Sequence, residues 1–188
     1  MKRKKVWILS GVPGSGKTTW VKEQIAKRGG VHCSRDEVRF AMLKDGEDYF
    51  AHENEVWSKW IGQVNKAIAN PDVENIYVDA THLNDTARTK VIKALDEGNY
   101  QLIVVVFDIP LETCLEQNEL RRGDGRAYVP KSVIRRMHAS FQTDSDVVPT
   151  IIKITKGENE GFGFAQIGIL ATIKSSSGRT EDLTLLAK

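Results

Sequence analysis

The chain has 188 residues, enough for one domain with a proper core, and its 40% apolar and 28% charged content is that of an ordinary soluble globular protein. A net charge of +2 points to no particular macromolecular partner, because a local basic groove fits inside a balanced total. The two cysteines, Cys33 and Cys114, are far apart and belong to no CxxC or Cys/His cluster, which argues against a zinc site and for free thiols in a reducing compartment.

"MKRKK" has the charge of a signal-peptide start, but the apolar run behind it ends at Ser10. That run is too short for a signal core or a membrane span, so a cytoplasmic protein is expected. Residues 6–9 read as a buried strand. A helix follows over residues 17–27 and is closed by Gly29 and Gly30. "VHCS" is a short second strand, and residues 36–43 look helical. A longer helix carries Val56, Trp57, Trp60, Ile61, Val64, Ala67 and Ile68 at helical spacing and stops at Asn70-Pro71. "NIYVDA" is a third strand ending at Asp79, and residues 84–97 form the next helix. "QLIVVVFD" is a fourth strand, apolar enough to be covered on both faces. Helices are expected over residues 111–120 and 130–142, the latter with a proline in its first turn, and residues 150–155 make a fifth strand.

This alternation predicts an α/β three-layer fold: a five-stranded, mostly parallel sheet flanked by helices. Ligands of such sheets sit beyond the carboxyl ends of the strands. Suspicion therefore falls on residues 11–18, on Arg35 and Asp36, on residues 79–81 and on Asp108. Residues 1–156 hold the alternation. Residues 157–188, rich in Gly, Ser and Thr, fall outside it as a tail that adds a strand or helix, links to something else or stays loose.

"GVPGSGKTTW" places Gly11, Gly16, Lys17 and Thr18 in the pattern G-x-x-x-x-G-K-[ST], with a strand before and a helix after. Glycines let successive N–H groups curl around phosphate oxygens, and the helix adds its positive end. Gly11, Pro13, Gly14, Ser15, Gly16, Lys17, Thr18 and Thr19 are thus the nucleotide-binding residues, with the Thr18 hydroxyl available to magnesium. A purine triphosphate with Mg2+ is the expected ligand.

In "SRDEVR", Asp36 stands where a carboxylate accepts a proton from an attacking hydroxyl, or else caps a helix. Arg39 shares its helix face and either holds an anionic acceptor or steadies Asp36. Asp79 is placed to act on magnesium or to orient Arg39, and Thr81 to touch the acceptor. The four histidines, His32, His52, His82 and His138, show no partner spacing and are expected on the surface or in packing. "LRRGDGRAYVP" reads as a lid whose Arg121, Arg122 and Arg126 neutralise transferring phosphate.

In that order, "GVPGSGKTTW", "SRDEVR", "VDATHLNDTAR", "VVVFDIPLETCLEQN" and "VPKSVIRRM" make residues 5–155 resemble the P-loop kinase domain of phage and bacterial 5′-hydroxyl polynucleotide kinases. The resemblance implies transfer of the γ-phosphate of ATP or another NTP to the 5′-OH of RNA or DNA. It implies Lys17 and Thr18 on phosphates and metal, Asp36 as general base, and Arg39 and Asp79 positioning the acceptor, Arg39 near its phosphate. The lid arginine falls on Arg121, Arg122 or Arg126, with Arg122 the candidate for catalysis and Arg121 and Arg126 for nucleotide binding. Members often carry an arginine where this chain has Gln117, so either Arg121 supplies the charge from the next turn or activity is lower. No phosphatase or ligase motif is visible. Two other readings stand beside this one: a P-loop kinase for a small metabolite, nucleotide sugar or transfer RNA, and an NTP-dependent switch without an acceptor.

Overall fold

The computed structural model describes residues 3–122, 128–148, 150–155, 171–174 and 180–183. Strand β1 (Lys4–Ser10) leads to α1 (Lys17–Arg28), β2 (Val31–Ser34), α2 (Arg35–Phe40) and α3 (Glu53–Ala69). Then come β3 (Asn75–Asp79), α4 (Asp85–Ile92), β4 (Tyr100–Asp108), α5 (Leu111–Glu119), α6 (Lys131–Ala139) and β5 (Ile151–Thr155). Two short strands close the order, β6 (Ala171–Lys174) and β7 (Thr180–Leu183).

The sheet runs β2-β3-β1-β4-β5-β6-β7. The first five are all parallel in register, and β6 and β7 add antiparallel pairs. The expected five-stranded sheet is therefore extended to seven by part of the tail, at the edge opposite β2.

Period-two alternation sorts β1 onto two cores. Val6 and Ile8 join Trp60, Val64, Ile76, Val78 and Val91 on one face. Trp7 and Leu9 join Trp20, Val21, Tyr77, Phe107, Leu115 and Ile134 on the other. Helix α3 thus covers one face while α1, α5 and α6 cover the other, giving three layers. Sheets buried on both sides need near-continuous apolar strands, and residues 103–107 of β4 are all buried.

Three helices end earlier than the sequence predicts, the first being α2, which closes at Phe40 rather than at residue 43. Helix α4 stops at Ile92, five residues before the expected end at 97, because Asn65 captures the next backbone groups: its Nδ2 donates to the Ala94 carbonyl at 3.1 Å and its Oδ1 accepts from Asp96 N at 3.0 Å. Helix α6 stops at Ala139, and Gln142 N instead donates to the Leu83 carbonyl at 2.8 Å. Among the described residues no helix is long and apolar enough to cross a membrane. Both cysteines are buried free thiols.

Candidate active site

The loop between β1 and α1 is built from backbone. Gly14 has φ 83°, and a Cβ there would drive into the carbonyl oxygen of Cys114. Gly16, at φ 90°, precedes α1 with no side-chain cap, so the first-turn amides of the helix remain available to an anion. Ser15 N closes a turn on the Val12 carbonyl at 3.2 Å. The Lys17 ammonium donates to the carbonyls of Gly11 at 2.8 Å and Val12 at 3.0 Å. Burial pushes the pKa of Lys17 down, Arg121 adds to that, and Asp79 and Asp36 act the other way.

Behind the loop lies a buried brace. Gly11 N donates to the Thr81 carbonyl at 2.9 Å, and Ser10 Oγ donates to the His82 carbonyl at 2.7 Å. Arg88, fully buried, donates to Ser10 Oγ at 2.8 Å, to Asp85 Oδ1 at 2.9 Å and to the carbonyls of Asp144 and Gln142. His82 has φ 39°, stacks on Trp60 and bonds the Leu9 carbonyl through Nδ1 at 2.5 Å. Burial holds its pKa down at about 4, so the ring stays neutral. Thr81 thus reaches the site through its backbone.

Asp79 ends β3 beside the loop. Its Oδ2 accepts from Thr18 Oγ1 at 3.2 Å and contacts His32 Nε2 at 3.0 Å. Burial pushes the Asp79 carboxyl up, but the bonds from His32 and Thr18 and the charge of Lys17 outweigh it and hold it below the usual range. The alternative in which Asp79 orients Arg39 is corrected: Arg39 is oriented elsewhere. His32, expected on the surface or in packing, is an Asp79 partner. The signal was its place two residues before the end of β2, one strand from Asp79.

Asp36 lies in the first turn of α2 rather than on the strand end. The capping role belongs to Ser34, whose Oγ accepts from Glu37 N at 3.2 Å. That leaves the half-exposed Asp36 carboxylate for other work. Its Oδ1 accepts from Arg39 Nη1 at 2.6 Å and from Tyr49 Oη at 2.8 Å. Burial, with Asp36 beside it, pushes the Tyr49 phenol up to about 12, so it remains a donor. Arg39 is only 5% exposed and also donates to Glu53 Oε2 at 2.8 Å. The other Glu53 oxygen pairs with Arg35, whose guanidinium lies over Trp57 and Trp60. Spacing in the sequence shows Asp36 with Arg39; Tyr49 and Glu53, ten and fourteen residues further, carry no local signal of their roles.

Among the lid residues, Arg122 is exposed, pairs with Glu119 Oε1 at 3.0 Å and lies over Tyr128. Arg121, one turn beyond Gln117, acts on Lys17 through its charge. Arg126 lies outside the described residues. No group of three or more His, Cys, Asp or Glu side chains suited to a metal forms among the described residues. Thr18 and Asp79 suit magnesium, which takes one or two protein oxygens and completes its shell with phosphate and water.

Residues 6–143 match the family model described as the AAA domain. A protein of Autographa californica nuclear polyhedrosis virus, provisionally named a bifunctional polynucleotide kinase/RNA ligase, is 28% identical over 152 residues, covering 73% of this chain and 21% of the viral one. A chain in the structure of the Pnkp1/Rnl/Hen1 RNA repair complex aligns with TM-score 0.64 at 23% identity, over 74% of this chain and 44% of that one. A sugar kinase from Janibacter sp. HTCC2649 aligns with TM-score 0.55 at 19% identity, over 82% and 86%. The chain thus spans about a fifth of the viral relative and under half of the repair-complex chain.

Proposed function

We propose that the chain, which belongs to the AAA domain family, is a P-loop kinase that transfers the γ-phosphate of ATP to the 5′-hydroxyl of an RNA or DNA end. The observation that carries this reading is the Asp36 carboxylate, with one oxygen clamped by Arg39 and Tyr49 and its charge felt at Lys17. The likeness to a protein named for polynucleotide kinase activity supports the acceptor class.

In this reading the loop amides and Lys17 grip the β- and γ-phosphates. Mg2+, when bound, spreads the developing charge, held by Thr18 and Asp79. Asp36 takes the proton of the incoming hydroxyl through Oδ2, since Oδ1 already accepts two donors. The hydroxyl oxygen bonds the γ-phosphorus as the bond to the ADP oxygen breaks. We assign Arg121 to the transferring group, because its charge acts on Lys17. Arg39, bonded to Asp36, stands on the acceptor side. We take residues 1–156 as the kinase module and 157–188 as an extension that adds strands at the sheet edge remote from Asp36.

The sugar-kinase likeness supports a second reading, in which the acceptor is a small metabolite. One incubation separates them: γ-labelled ATP, Mg2+ and a mixture of 5′-OH RNA, 5′-OH DNA and sugars. Label on oligonucleotide ends is the expected result. Label on a sugar alone transfers the assignment to the second reading, and label released only as inorganic phosphate removes both.

A further inference from the structure

Beside Asp36 the protein exposes aromatic surface that its own core does not use. Phe40 is 44% and Phe50 63% exposed. The half-buried Tyr49 joins them edge-on, with centroids 6.0 Å from Phe40 and 4.9 Å from Phe50. The Arg39 guanidinium lies 4.4 Å from the Tyr49 centroid and 5.8 Å from that of Phe50. Through its hydroxyl, Tyr49 is bonded directly to Asp36 Oδ1 at 2.8 Å.

Large apolar rings gathered on a surface mark a contact site more often than an accident of packing. Here the ligand is constrained by the neighbour. The hydroxyl that Asp36 deprotonates is carried on a ribose whose base lies within one nucleoside's length. A flat, unpaired base is the part of such an acceptor that gains from an aromatic seat, and the cation held over Tyr49 suits the phosphate that follows. We propose that Phe40, Tyr49 and Phe50 form a stacking seat for the 5′-terminal base of a single-stranded acceptor. The inference rests on the polynucleotide reading above and sharpens it. Stacking reads the π-face that every base presents, so the seat tolerates any base but requires one that is free of a pairing partner. Ends that are single-stranded are therefore preferred over recessed, paired ends.

The test uses the whole chain with two 5′-OH oligonucleotides, one normal and one abasic at its first nucleotide. Phe50→Ala raises the KM for the normal oligonucleotide by about tenfold, the loss usual for one stacked base. The abasic oligonucleotide costs the unaltered protein the same factor, and combining the two changes adds nothing further, as expected when both remove one contact. Phe40→Ala acts in the same direction. Tyr49→Phe keeps the ring and loses the bond to Asp36, so it lowers kcat with little change in KM. An unchanged KM for ATP in each variant shows that the fold is intact. Equal KM effects of Phe50→Ala on normal and abasic oligonucleotides, or none on either, overturn the seat while leaving the kinase. Absence of label on both oligonucleotides with the unaltered protein overturns the polynucleotide reading and the seat with it.

Discussion

The phosphate loop and the α2–α3 corner stand close enough for Asp36 to act on the charge of Lys17, yet they are made of different material. The loop is main chain. Its shape depends on glycines at positive φ, and it needs only nine consecutive residues, Gly11 to Thr19. The corner is side chains. Asp36, Arg39, Tyr49 and Glu53 come from α2, from the segment after it and from the start of α3, and they hold one another by charged hydrogen bonds. A backbone cradle is tied to its sequence and grips what every triphosphate shares. A side-chain network is assembled by the fold and is where acceptors are told apart.

Removing the chemistry of the corner should produce the largest effect. Asp36→Asn is nearly isosteric but accepts no proton, so kcat falls by roughly 10²–10⁴-fold, the usual contribution of a general base. Nucleotide binding, followed by the quenching of a fluorescent ATP analogue, stays as it was because the loop is untouched. A comparable loss of nucleotide affinity would mean that the two regions are not separable.

The loop should break differently. Gly14→Ala forces a Cβ against the Cys114 carbonyl at a φ that L-residues rarely adopt. Thermal or urea unfolding should show a stability loss of about 1–3 kcal/mol, with weakened nucleotide binding alongside. Full stability together with full binding would show that the cradle tolerates a side chain.

Glu53→Gln is the mildest test. It keeps the shape of the corner but releases Arg39 and Arg35 from their shared counter-charge. The KM for the acceptor should rise about tenfold, equivalent to one charged hydrogen bond of ~1.5 kcal/mol, while the KM for ATP is steady. A shift in the ATP constant instead would place Glu53 on the nucleotide side.

Read along the chain, the strands and the loop announced themselves, because a parallel sheet covered on both faces writes continuous apolar runs and a phosphate cradle writes glycines. Helix ends were less legible: α4 yields to Asn65, a side chain from another element. The resemblance named Asp36 and Arg39 in advance, but their partners Tyr49 and Glu53 were silent, as was His32, whose role exists only because β2 lies beside β3.

The amino-acid order alone determined the layered α/β architecture, the place of the phosphate loop and the Asp36–Arg39 pair, since each rests on local periodicity or on spacing within one turn. Which arginine acts on Lys17, what holds Arg39 and which rings border Asp36 were decided by tertiary packing. Those relations cross from one element to another, and no period or motif records a distance that only the folded chain creates.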